Sequence, residues 1–119
     1  MLVGGDFTSF SGQRTGRLVR LTATGALDAA FNANLGTGFD RPINTVVVQP
    51  DGKILVGGTF ATFNGQPTDP LLRLNADGTL DTTFSSDLPF NVSYVAAVLV
   101  QPDSKILVAG VLGAAGIMR

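Results

Sequence analysis

The chain contains no cysteine and no histidine. Without cysteine there are no disulfides, no thiolate-held zinc and no thiol nucleophile, although the compartment stays open. Without histidine, a Ser-His-Asp triad and histidine-ligated metal sites are excluded. Every acidic residue is an aspartate. Charge is sparse: 14% of residues are charged, the net charge is −1, and no basic run occurs. Nucleic-acid binding needs clustered Lys and Arg to neutralise phosphates, so nucleic acid is not an expected partner. No apolar stretch reaches the roughly 18–20 residues of a membrane helix, so membrane insertion is not expected. No signal peptide is visible.

What is present is a repeat. Over 119 residues, 45% of them hydrophobic and including 15 glycines and 6 prolines, the chain returns to itself about every 53 residues. Leu2-Val3-Gly4-Gly5-Asp6-Phe7 returns as Leu55-Val56-Gly57-Gly58-Thr59-Phe60, and Leu18-Val19-Arg20-Leu21 as Leu71-Leu72-Arg73-Leu74. Gly25-Ala26-Leu27-Asp28 with Phe31 returns as Gly78-Thr79-Leu80-Asp81 with Phe84. Gln49-Pro50-Asp51-Gly52-Lys53-Ile54 returns as Gln101-Pro102-Asp103-Ser104-Lys105-Ile106. Short strands repeating at roughly this period indicate propeller blades or a related array. Residues that recur in register serve the unit's own packing. Function is therefore sought in what does not recur.

Residues 44–84 show the unit most clearly. Thr45-Val46-Val47-Val48-Gln49 is β-branched and bounded by a turn, and reads as strand A. Pro50-Asp51-Gly52-Lys53 is a tight turn. Ile54-Leu55-Val56-Gly57-Gly58-Thr59-Phe60 reads as strand B, its continuous apolar run implying burial on both faces. Its paired glycines admit another backbone. After an irregular stretch, Leu71-Leu72-Arg73-Leu74 is strand C, Asn75-Ala76-Asp77-Gly78 a hairpin turn, and residues 79–84 strand D. The expected fold is all-β, with propeller-type blades of four antiparallel strands in a partial or open propeller. As a single array, residues 1–31 form a partial blade (strands B to D), 44–84 a full blade, and 94–119 a partial, divergent blade. Met1 aligns with Ile54, inside a unit. The expectation is a piece of a longer protein, or a chain completed by copies of itself. The recurring phenylalanines, Phe7/Phe60, Phe10/Phe63 and Phe31/Phe84, are expected to pack between blades.

Residues 73–84 (RLNADGTLDTTF), then a hydrophobic strand, residues 48–60 (VQPDGKILVGGTF) and the Asn64-Gly65-Gln66 run together resemble the delta-60 repeat, found in bacterial surface and secreted proteins. The resemblance covers essentially the whole chain. It implies a propeller-like fold, an extracellular or cell-surface location, and a role in adhesion, recognition or display. It implies no catalytic residues. The last copy departs from the pattern: Ser104 replaces the turn glycine, Ala109 the first paired glycine, and the phenylalanine and Asn-Gly are missing.

Because blade strands alternate in direction, the longer connections 8–16, 61–70, 32–44 and 85–93 are expected at one end of the unit. Loops on a rigid scaffold are where binding is usually built. The candidate binding residues there are Arg14, Asp40, Arg41, Asp69, Asp87 and Asn91, with Tyr94 at the edge of a strand. An Asp-Arg pair and a tyrosine suit a protein or glycan surface. The alternative is that all are solvated loop residues, with Asp40-Arg41-Pro42 a local turn. Asn75, Asp77 and Asp81 are spaced loosely like a calcium loop, but hairpin chemistry explains them, so no metal or cofactor is expected. The recurring Arg20/Asp28 and Arg73/Asp81 are expected to pair or cap turns. The partners implied are other blades of the same protein or other copies of the chain, and a protein or glycan on the long-loop face. The sequence points to a non-catalytic recognition or display module, or to a purely structural self-assembling repeat; an enzyme would need acids that are not already committed to repeated turns.

Overall fold

The computed structural model describes residues 2–10, 13–84, 92–102, 106–112 and 116–118. In chain order the elements are β1 (Leu2–Gly4), β2 (Ser9–Phe10), β3 (Gln13–Arg14), β4 (Leu18–Arg20), α1 (Ala29–Leu35), β5 (Ile43–Val48), β6 (Ile54–Gly58), β7 (Thr62–Phe63), β8 (Gln66–Pro67), β9 (Leu71–Leu74), β10 (Val92–Val100), β11 (Ile106–Leu112) and β12 (Gly116–Met118). Three antiparallel sheets follow one another along the chain: β1-β4, β5-β6-β9 and β10-β11-β12. They are successive units of the repeat: the first shows strands B and C, the second A, B and C, and the third A and B with β12 on the far side of B.

The second unit shows how the sequence makes the sheet. Between β5 and β6 the turn closes through Gly52 N–H to Gln49 O at 2.9 Å and Gln49 N–H to Lys53 O at 2.8 Å. Gly52 has φ 88°, a left-handed conformation that costs glycine little. The turn sets a register in which Val46 faces Val56 and Val48 faces Ile54. All five residues of β6 are buried. Ile54 and Val56 join Leu72 and Leu74 of β9 in one core, which extends to Leu18, Phe31 and Phe60. Leu55 and Leu71 face the other way, into a core with Val95, Val98 and Val108. The sheet is thus covered on both faces by its neighbours, and each fully buried Leu, Ile or Val stabilises by about 1.5–3 kcal/mol.

The glycines of β1 and β6 make this stacking close. A Cβ at Gly57 would lie 2.6 Å from Val95 Cγ1, and one at Gly58 would lie 2.4 Å from Pro42 O. A Cβ at Gly4 would lie 2.9 Å from Ile43 Cγ2 and from Val46 Cγ2. In both copies the first glycine receives strand A of the next unit.

Strand D needs correction. The stretch 79–84 contributes only one bridge, Leu74 to Leu80, and the first copy likewise has only Leu21 to Leu27. The outer edge of each unit is a bridge and a turn in place of a fourth full strand. Beyond it, the two copies diverge. In the first, Asp28 caps helix α1: its Oδ1 accepts from Phe31 N–H at 3.2 Å. Ala29, Ala30 and Ala33 favour helix, and Gly36 ends it with φ 61°. In the second copy Asp81 Oδ1 accepts from Thr83 N–H at 3.0 Å, and β-branched Thr82 and Thr83 follow where the first copy has alanines. The connection 32–44 is therefore helical at its start. Helix α1 supports the next unit's turn, where Asn34 Nδ2 donates to Asp77 O at 2.7 Å. Phe31 packs against Gly78 of that turn, whose added Cβ would lie 3.1 Å from Phe31 Cδ2, as expected of a residue between units.

The stretches read as irregular between strands B and C each contain a small hairpin, β2-β3 and β7-β8. The second turns on Asn64 and Gly65, with φ 52° and 79°, the backbone of a two-residue type I′ turn.

Candidate functional site

Three connections meet at one end of the first two units, through residues 5–10 and 13–17, 36–42 and 59–70. Phe39 N–H donates to Gly16 O at 3.1 Å, Asn64 N–H to Gly38 O at 2.7 Å, and Thr59 N–H to Pro42 O at 3.1 Å. Asn64 Oδ1 accepts from Thr37 N–H at 3.1 Å. Gly16 and Gly38 touch backbone to backbone, with no room for a Cβ on either. Beneath them Phe39 lies 4.6 Å from Phe60 and 4.9 Å from Phe63, ring centre to ring centre. The loop end is a knitted platform on an aromatic base.

Asp40 helps to knit it. Its Oδ1 accepts from Ala61 N–H at 2.8 Å and Thr62 N–H at 3.0 Å. Partial burial raises its carboxyl, but the N–H groups of Thr62 and Ala61 and the charge of Arg41 outweigh that, leaving it below the ordinary carboxylate range. Arg41 stands beside it, Nε 4.0 Å from Asp40 Oδ2, with its side chain 65% exposed. Of the sequence candidates these two are brought together. Asp69 instead borders a separate pocket of about 360 Å³ with Arg73, Asp81 and Phe84. Arg14 lies on β3, opposite Ser9, and Tyr94 on β10, opposite Val111. Asp87 and Asn91 lie outside the described residues.

The pocket beside Asp69 is walled by charges already committed to one another. Asp81 Oδ2 takes Lys53 Nζ at 2.7 Å and Arg73 Nε at 2.8 Å. Lys53, then Thr83 through its hydroxyl and N–H, and Arg73 hold the Asp81 carboxyl far below the usual range against the effect of burial. Arg73 also covers the Phe84 ring at 4.8 Å. The first copy repeats the theme with Arg20 Nε to Asp28 Oδ2 at 3.0 Å and Arg20 over Phe31 at 4.4 Å. The recurring charges thus pair within each unit, and Arg20 Nη1 additionally donates to Ala76 O of the next. The calcium-like oxygens are used in the hairpin: Asp77 Oδ1 accepts from Thr79 N–H at 3.0 Å.

A second pocket at the loop end was missed in the sequence. About 310 Å³ in volume, it is lined by Thr8, Thr15, Arg17, Gly36 and Thr37. Thr15 is 6% exposed, and its hydroxyl has no hydrogen-bond partner among the described residues. Arg17 holds φ 70°; its Nη1 donates to Phe39 O at 2.7 Å and its Nε to Asp6 Oδ1 at 3.3 Å. The signal was present in the alignment of the copies: Arg17 stands where the next unit has Pro70, and Thr8 where it has Ala61.

Among the described residues no group of side chains is placed to hold a metal ion, and no helix is long and apolar enough to cross a membrane. Comparison with curated proteins and with solved structures finds no match. A family profile described as "Domain of unknown function (DUF5122) beta-propeller" matches residues 1–31 and 49–84. The matched stretches contain the β1-β4 and β6-β9 strand pairs, both short turns and the Arg-Asp pairs. With more than half of its residues matched, the chain belongs to this β-propeller family.

Proposed function

We propose that the chain is a non-catalytic recognition module that takes a protein or glycan on its long-loop end. One observation carries this reading: the recurring Arg-Asp charges are spent on internal pairing, whereas Asp40, Arg41 and Arg17, which do not recur, lie at the loop end. Arg41 is exposed there, and the Arg17 pocket opens there. The carboxylates of Asp40 and Asp81 each accept several hydrogen bonds, which leaves them poor candidates for acid–base work. Resemblance to the delta-60 repeat supports an extracellular or cell-surface setting, with adhesion or display as the role.

The test is binding to arrays of glycans and of extracellular proteins, comparing Arg41→Ala with Asp51→Ala at the opposite, short-turn end. Loss of a bound array member in Arg41→Ala alone is the expected result. Loss in Asp51→Ala alone would move the surface to the other end.

A second reading is a self-assembling structural repeat. Val48 and Leu99, near the ends of strands A in successive units, are 57% and 61% exposed and border one apolar groove. Its partner would be another copy of the chain.

A further inference from the structure

Asn64 fastens two of the loop-end connections to one another. Its N–H donates to Gly38 O at 2.7 Å, and its Oδ1 accepts from Thr37 N–H at 3.1 Å. Its side chain lies over Gly36, where an added Cβ would come within 2.6 Å of Asn64 Cγ. The fastening depends on the turn. Asn64 holds φ 52° and Gly65 φ 79°, a left-handed backbone that these two residue types adopt at least cost. The hairpin that carries the turn is small: Thr62 pairs with Pro67 and Phe63 with Gln66. A two-stranded hairpin is marginally stable by itself, so this one opens locally at less cost than the core strands do.

The same dipeptide is chemically reactive. Asparagine is thermolabile, most of all before glycine, where no Cβ hinders attack by the following backbone nitrogen. Of the asparagines in the chain only Asn64 precedes a glycine. Both residues are exposed, and no atom beyond the chain neighbours lies within 4 Å of the place a Cβ on Gly65 would take. When the turn opens, Gly65 N gives up its proton to water and attacks Asn64 Cγ. The bond from Cγ to Nδ2 breaks and ammonia leaves, closing a cyclic imide. Water then opens the imide at either carbonyl, giving aspartate or isoaspartate. Nothing is oxidised or reduced. Asp51 and Asp77 also precede glycines, but each is a carboxylate whose Oδ1 accepts from the backbone N–H two residues on, at 3.0 Å, and an ionised carboxylate is a poor electrophile. The first copy has Ser11 where Asn64 stands, and serine has no carbonyl to attack. We propose that Asn64 is a spontaneous modification site, and that isoaspartate formed there releases the loop end. Isoaspartate carries the main chain through its side-chain carbonyl, one carbon longer. A two-residue turn between paired strands cannot take up that carbon and keep the hydrogen bonds to both Gly38 and Thr37. The inference goes beyond the recognition reading and holds whatever the loop end binds.

The experiment ages the whole chain in mildly alkaline buffer, folded and in urea, and maps its peptides by mass spectrometry. The expected result is that Asn64 converts before any other asparagine in the folded chain, more slowly than in urea, to a mixture of aspartate and isoaspartate. Hydrogen exchange of the aged, folded protein should then show lost protection at the amides of Thr37 and Asn64, while the amides of β5 and β6 keep theirs. Asn64→Asp, which brings the charge without the extra carbon, should keep the protection at Thr37. Asn64 left intact in the folded chain when it has fully converted in urea would overturn the proposal. So would protection at Thr37 and Asn64 that survives conversion to isoaspartate, or that is lost equally in Asn64→Asp.

Discussion

Asp81 ties the turn after β5, strand β9 and its own turn through one carboxylate, and its chemistry sets an acid sensitivity. One oxygen receives Lys53 from the turn after β5 and Arg73 from β9, and the other receives Thr83. Its folded pKa is depressed, so its contribution is complete above the unfolded value of roughly 3.9 and is lost as pH falls toward the folded value. Thermal unfolding followed between pH 7 and pH 2 should show a melting temperature that declines below about pH 4. In Asp81→Asn the melting temperature should start lower and the decline should be shallower. It should also start lower than in Asp77→Asn, because Asp77 holds only its own turn. An equally steep decline in Asp81→Asn would show that other carboxylates govern the acid response. Thr15 predicts the opposite sign. Its buried hydroxyl has no partner among the described residues, so replacing it by a methyl group in Thr15→Val should raise stability by about 1 kcal/mol, measured by urea unfolding. A loss instead would mean that the hydroxyl is satisfied in the folded protein. The ion pairs were legible as recurring charges. Thr15 was not, because its side chain recurs as Thr68 and only burial distinguishes the two.

At the scale of elements, strands A, B and C and both short turns could be read from β-branched runs and Asn/Asp-Gly signals. The outer edge could not, because Asp28 and Asp81 recur in register while the residues after them decide the outcome. Alanines at 29 and 30 follow Asp28 into helix, and threonines at 82 and 83 follow Asp81 into a turn. The expected strand rested on the shared part of the motif. Changing Ala29 and Ala30 together to threonine should therefore weaken α1, reducing the helical contribution to far-ultraviolet circular dichroism while leaving the strand signal. If the helical signal is unchanged, the Asp28 cap and the burial of Phe31 and Leu35 are sufficient to hold the helix. The two small hairpins were also missed, although Asn64-Gly65 is a strong local turn signal. Lying between longer strands, it reads in the sequence as part of an irregular link. The loop end followed from strand alternation, but which of its residues approach one another depends on backbone contacts such as Gly16 with Gly38. No spacing in the sequence encodes them.

At the scale of the molecule, the units are held by strand A of one lying on the glycine of the one before. Gly4 receives β5 and Gly57 receives β10, and Asn44 Nδ2 ties the same junction by donating to Val95 O at 3.0 Å. Gly57→Ala would press a methyl group into Val95 and Thr45 and should cost about 1–3 kcal/mol as overpacking, seen as a lower urea midpoint. An unchanged midpoint would mean that the second and third units are not packed this tightly. The same stacking places strands A side by side and leaves Val48 and Leu99 exposed along one groove. Their exposure is the strongest physical argument for association, since removing that apolar surface from water is favourable. Light scattering after size exclusion, at two concentrations, should give a molar mass that rises above the single chain. The double variant Val48→Ser with Leu99→Ser should remain at the single-chain mass, because both side chains lie outside the two buried cores and their loss leaves the fold intact. A single-chain mass for the unaltered protein at both concentrations would exclude the self-assembling reading and leave the loop end as the surface on which function is to be sought.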